Sequence, residues 1–447
     1  MNTRVKSIVS GVVMLLPAFL SMSCPDVTTP CISGTDVRNV DDTDVPEWIK
    51  ERILWDPGRT VGRFYVSDQD GSVLENPDYP SGKLVVIRVA PSDWPKNTAV
   101  TVSYINAIFF ELNFFEPVPS KSVASYYAEN SYGAFLCTSG GVPEWVNLVS
   151  LTYYGDVETS ITFLLHILRA ADVDWPALDT NGDNAISRAE AQIVILIPDG
   201  SMSSGFASTR YRTIGLAPTA SGEWYDFGTR PIIYFSLKAE SLSDAHVNPI
   251  RYHASVIHEL HHAFFNLPDR YGSNTGTGMY DHMSRDRSWL HLTLFDKMKI
   301  GWVHPRIVNK HLETCLHFPA SESEAAGLVL VPPEVLLDPE APLEYWVVEN
   351  RHRAYAEVGY DDDLPENGLA IWYVSEGTYS NGCDDVRLVN ASLPDQDPDL
   401  YNNPGYGAFF TYVPDEPERL LMMSGGPWSF LYFRRVSNPG YQMTVEF

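Results

Sequence analysis

Between residues 80 and 240 the apolar positions gather into short unbroken runs. Lys83 to Val89 is a compact β-branched run of the kind that forms a buried strand, and Gln192 to Ile197 and Pro231 to Leu237 repeat it. An amphipathic stretch follows the first run and ends near Phe115. Strand and helix patterns therefore interleave, which predicts an α/β arrangement. A longer helical pattern comes next. Asn248 supplies a cap, Pro249 suits the first helical position, and Ile250, Ala254, Ile257, His261 and Phe264 fall on one side of a helix that should end near Phe265. After about Pro305 the texture changes to short aromatic and β-branched runs, such as Glu344 to Glu349 and Leu369 to Val374, separated by Pro, Gly, Asp and Asn. This predicts a β-rich C-terminal domain. Residues 25 to about 78 are rich in Asp, Pro and Thr, carry turn signals such as Asp56-Pro57-Gly58 and show little periodicity. A linker or a short pro-segment is expected there.

At 447 residues the chain exceeds one ordinary core. The expected division is 1–23, 24–78, a main domain over 79–305 and the β-rich part over 306–447. With 57 acidic against 31 basic side chains and a net charge of −26, clustered cationic surface for nucleic acid or anionic lipid is excluded as a working expectation. The N-terminus carries Arg4 and Lys6, an apolar run from Ile8 to Leu20, and Ser21-Met22-Ser23 before Cys24. That pattern is a secretory signal over 1–23, with Pro17 inside a run too short to span a bilayer. A secreted chain with no transmembrane segment in its mature form is expected. Cleavage before Cys24 would leave that cysteine open to lipid modification and surface anchoring, although the usual Leu three places earlier is missing and Leu20 sits four before. Cys31, Cys137, Cys315 and Cys383 allow three pairings in an exported chain.

His258-Glu259-Leu260-His261-His262 fits H-E-x-x-H. On a helix the outer histidines are i and i+4, so both imidazoles leave one face about a turn apart and one rigid element can supply two zinc ligands. Glu259 stands beside the first of them, where a carboxylate can take a proton from metal-bound water and hand it to a leaving amine. His261 fits packing or a supporting role, because the Glu spacing favours the pair 258 and 262.

The stretch HELHHAFFNLPDRY, His258 to Tyr271, resembles the site of the immune-inhibitor-A-like zinc metallopeptidases, where H-E-x-x-H is followed by G-L-P-D-x-Y. Gly278 to Ser284 (GMYDHMS) is similar to that family's Met-turn, and Leu294 to Trp302 to the helix and glycine that follow it. Ser122 to Phe135 resembles its S-x-x-x-Y-Y-x-x-x-S-Y-G segment. Glu344 to Arg351 resembles E-Y-x-x-x-E-N-R, and Gly368 to Tyr373 resembles G-L-x-I-W-H, with Tyr373 where histidine is usual. The likeness runs from about residue 80 to 447. It implies a zincin-like α/β (α+β) catalytic domain with a mixed twisted sheet and an active-site helix, plus a β-rich C-terminal domain. It also implies Asp269 as third zinc ligand, although Asp269 comes seven residues after His262 and six is usual. Asp281 and His282 are the rival ligands. Met283 is expected in the core beneath the histidines, and Tyr280 and His282 are candidates for polarising a substrate carbonyl. Tyr126, Tyr127, Tyr132 and Trp145 are expected as core or strand-face aromatics.

Asp179, Asn181, Asp183, Ala185, Ser187 and Glu190 stand at positions 1, 3, 5, 7, 9 and 12 of an EF-hand-like loop. Alternate oxygen ligands with a closing glutamate suit calcium, Ala185 contributing its carbonyl. Asn184 takes the sixth position in place of glycine, which its tolerance of left-handed backbone permits. The expected function is that of a secreted zinc endopeptidase acting on protein or peptide substrates, with Zn(II) and Ca(II). The other readings are a catalytically silent calcium-dependent binding or adhesion protein on a zincin scaffold, which an intact Glu259 argues against, and a zinc amidase acting on a non-protein amide.

Overall fold

Strands Lys83–Pro91 and Gln192–Ile197 are apolar almost without interruption because both of their faces are covered. Alternate residues of a strand point to opposite sides. Val85, Ile87 and Val89 join Ile193, Ile195 and Ile197 in one core, against Phe163, Leu164 and Ile167 of the helix Ile161–Ala170. Leu84, Val86, Val194 and Leu196 enter a second core, with Ile257 and Leu260 of the helix Pro249–Phe265. The computed structural model describes residues 34–54, 82–112, 122–155, 161–197, 206–213, 229–236, 249–332, 342–353, 360–377, 385–389, 409–410, 419–422, 428–436, 439 and 442–446, apart from 95, 97, 99, 188, 266, 271–275, 286–287, 310–313, 362 and 434. The expected signal segment, Cys24, Cys31, Cys383, Asn248, Asn266, Tyr271 and all of 55–78 lie outside these residues.

The sheet that supports the long helix is ordered Thr138–Gly141, Lys83–Pro91, Gln192–Ile197, Thr229–Ser236, Phe206–Thr213, and Val146–Leu148 also pairs with Lys83–Pro91. Its pairings are parallel except the last, where Phe206–Thr213 runs antiparallel to Thr229–Ser236. The register of that last pair breaks between Ser208 and Arg212, opposite Pro231, which has no N–H to donate to the ladder. The chain is thus mixed α/β, as the alternation of patterns predicted.

The C-terminal part is built from sheets. One runs Asp385–Leu388, Gly368–Ser375, Glu344–Arg351, Leu328–Leu330, Arg306–Val308. Its two faces serve different cores. Val329, Val347, Trp372 and Val374 join the core of the long helix, while Leu328, Trp346, Ile371 and Tyr373 face Leu316, Phe318, Met443 and Val445 of a second sheet. The composition change near 305 therefore marks a change of architecture but not a gap between cores. Tyr373, where the family resemblance has histidine, is a buried packing residue near Trp346.

The segment expected as linker or pro-segment is partly built into this frame. Thr35–Asp36 pairs in parallel with Cys315–Pro319, and the helix Glu47–Ile53 buries Ile49 and Ile53 in the main core. These anchors lie far away in sequence, so local periodicity carries little trace of them. No helix among the described residues is long and apolar enough to cross a membrane. Cys137 is a buried free thiol and Cys315 is disulfide-bonded, so the three pairings that use Cys31, Cys137, Cys315 and Cys383 together do not occur.

Candidate metal centre

The helix Pro249–Phe265 forms where the proline and the apolar period coincide. Ala254, Ile257, Leu260, His261 and Phe264 are buried along it. That burial fixes its rotation. His258 and His262, i and i+4, then leave the helix together, with ring centroids 4.8 Å apart. The chain returns through Leu267 to Arg270 and brings Asp269 to the same place. His258 Nε2 lies 2.9 Å from Asp269 Oδ1, His262 Nε2 lies 3.1 Å from the same oxygen, and the two Nε2 atoms are 3.2 Å apart. Among the described residues these three form the one group of at least three His, Cys, Asp or Glu whose ligand atoms gather in this way.

The protons of this group are placed by the backbone. His258 Nδ1 is 3.2 Å from the carbonyl oxygen of His282, and His262 Nδ1 is against that of Leu267. A carbonyl only accepts, so both Nδ1 atoms donate and both Nε2 lone pairs turn toward Asp269. Three acceptor atoms in mutual contact repel one another unless a cation or an added proton lies among them. The donor set fits zinc: tetrahedral bonds of about 2.0–2.1 Å hold ligand atoms about 3.3 Å apart, and three protein ligands is the number a catalytic zinc takes. Without a metal, the proton goes to His262. Burial alone would lower its pKa, but the hydrogen bond and charge of Asp269, with the Glu259 charge, raise it to about 9. Burial would raise Asp269, yet the two imidazoles hold it well below the usual carboxylate range.

The remaining candidates separate by their partners. Glu259 is partly buried on the same helix, next to His258. His261 is fully buried between Tyr126 and Tyr127, each Oη 3.4 Å from a ring nitrogen, and burial lowers its pKa far enough to keep it neutral. It is not among the three gathered ligand residues. His282 is buried as well, gives its Nδ1 proton to the Ser288 carbonyl at 2.9 Å, and is pushed by burial down to about 3. Asp281 lies beside Arg270. Tyr280 donates to Glu366 at 2.6 Å and lies tilted against Phe409. Met283 is fully buried in the core. Tyr126 and Tyr127 belong to the helix Val123–Asn130, and their rings are buried against this histidine cluster.

The 179–190 loop has the turn its spacing predicts. Asn184 adopts φ 61°, and Asp179 accepts from the N–H groups of Gly182, Asp183 and Asn184. Glu190 reaches back to the N–H groups of Thr180 and Ser187 at 2.7 and 2.8 Å. Burial would raise its pKa, but those N–H groups hold it below the ordinary value. Asp179, Asp183 and Glu190 do not draw together into a compact cluster as the 258, 262 and 269 side chains do.

Sequence reasoning missed the two carbonyls that set the histidine tautomers. Any residue type carries a carbonyl, so no signal marks them. It also missed the surroundings of Arg270. No family model matches the chain, and no curated protein matches it either.

Proposed function

We propose that this chain is a secreted zinc-dependent endopeptidase that hydrolyses peptide bonds in extracellular proteins. His258, His262 and Asp269 hold the metal and Glu259 is the general base. The observation that carries this reading is the meeting of three proton-acceptor atoms, two of them with tautomers set by backbone carbonyls, beside a glutamate on the same helix. Zinc bound there supplies Lewis acidity and brings the pKa of its water to about 7. Glu259 takes the proton and returns it to the leaving amine. His258 and His262 are held in place by the main-chain carbonyls of His282 and Leu267. The loop 179–190 is read as a structural calcium site, with Asp179, Asn181, Asp183, Glu190 and the Ala185 carbonyl as its oxygens.

The test is the zinc content of the purified chain together with its action on an unfolded protein. One equivalent of zinc is expected, with cleavage lost on chelation and restored by zinc. A chain that binds zinc and leaves the unfolded protein intact would be the silent binding protein or the amidase instead.

A further inference from the structure

We propose that Arg270 is the positioning residue that holds Asp269 at the metal centre, a role that rests on the metal-site reading above. Asp269 is the least covered of the three ligands, with 36% of its side chain exposed against 2% for His258 and 13% for His262. Packing on Asp269 itself therefore does little to fix it. The next residue does. Arg270 N–H donates to the Met283 carbonyl at 2.9 Å, and Leu267, three residues earlier, is held by His262 Nδ1. The short return segment is thereby pinned at both ends.

The guanidinium carries the larger share. Arg270 is 3% exposed. Its Nη2 donates to Asp296 Oδ1 at 2.8 Å, its Nε lies 3.8 Å from Asp281 Oδ2, and its plane sits 5.4 Å from the Phe295 ring centre. Both carboxylates are themselves anchored. Asp296 accepts from Thr293 Oγ1 at 3.0 Å at the start of the helix Leu294–Lys299, and Asp281 accepts from Met283 N–H at 3.2 Å. Between Asp281 and Met283 lies His282, whose carbonyl orients His258. The guanidinium thus joins the segment of the third ligand to a helix of the core by the hydrogen bond to Asp296, and faces the stretch that orients the first ligand across 3.8 Å as an ion pair with no hydrogen bond. A lysine could balance the charge but could not span two carboxylates in a fixed plane.

The experiment compares cobalt binding and the visible spectrum of the cobalt-loaded full chain for wild type, R270K and R88K, with thermal melting of each. Arg88 is an equally buried guanidinium, held by the Val100 and Pro143 carbonyls in the parallel sheet, and is a control for general destabilisation. R270K is expected to bind cobalt roughly 10–100-fold more weakly, the scale of a lost supporting contact, with an altered spectrum. R88K is expected to melt lower and keep the wild-type spectrum and affinity. Should R270K not fold, D296N takes its place, with a weaker change in the same direction expected. Wild-type cobalt affinity and spectrum in R270K, or equal losses in R270K and R88K, would overturn the positioning role. Wild type that binds no cobalt would overturn the metal centre and the positioning role together.

Discussion

His258 gives its Nδ1 proton to the carbonyl oxygen of His282, 3.2 Å away and 24 residues further along the chain. The acceptor is main chain, so the contact does not depend on the imidazole of His282. His282→Gln is therefore expected to keep zinc affinity within about tenfold, the lower edge of supporting-group effects, while Asp269→Ala loses more than about 100-fold. Competition with a chromogenic chelator reads both. The reverse order would move the third ligand to the 281–282 stretch.

Glu259→Gln keeps the shape of the side chain and removes the base. Because Glu259 is not among the three gathered ligand atoms, the variant should retain its metal while peptide hydrolysis falls by roughly 10²–10⁴-fold. Metal analysis beside initial rates on a fluorogenic peptide checks it. Wild-type turnover would remove Glu259 from its assigned role.

The metal-stripped chain should depend on pH through His262 and Asp269. His262 is raised above its unfolded value to about 9, so the pair's stabilisation is complete below about pH 6.5 and is lost as pH climbs through about 9. Asp269 is lowered, so its share is present above about pH 4 and lost in more acidic solution. Urea midpoints of the metal-stripped chain between pH 6 and 10 should fall, and Asp269→Asn should flatten the slope. A slope unchanged in that variant would contradict the pairing.

Arg351 is fully buried and forks onto Asp361 at 2.6 and 2.9 Å, with Glu349 3.6 Å away. Removing the cation leaves uncompensated carboxylates in the core. Arg351→Met should cost about 3–5 kcal/mol in denaturant unfolding. Adding Asp361→Asn should recover part of the loss, because the two positions share one interaction. Additive losses would mean the pair is not coupled.

Calcium should raise the melting temperature and slow proteolysis of the chain, and Asp183→Ala should abolish both effects. Asn184 already sits at φ 61°, so Asn184→Gly should be tolerated, whereas a β-branched residue there should lower the melting temperature. Identical melting with calcium and with a chelator would dismiss the loop as an ion site.

The parts legible in the sequence are those set by neighbours. Lys83 to Val89 and Gln192 to Ile197 read as buried strands because two covered faces leave no polar position, and the helix bearing His258 and His262 read from its proline and apolar period. The i and i+4 spacing of those histidines needs no tertiary contact to put them on one face. Phe206–Thr213 was not legible, because an edge strand mixing Ser, Thr and Arg looks like loop until its partner is known. Nor was the segment 34–54, whose order comes from Cys315–Pro319 and a core assembled from distant residues. At the site, sequence supplied the candidate ligands, including Asp269 through a motif. Tertiary structure decided which atoms meet, which carbonyls hold the imidazole protons, and that Arg270 finds Asp296. Those contacts join residues far apart along the chain, and only the folded backbone brings them within hydrogen-bond reach.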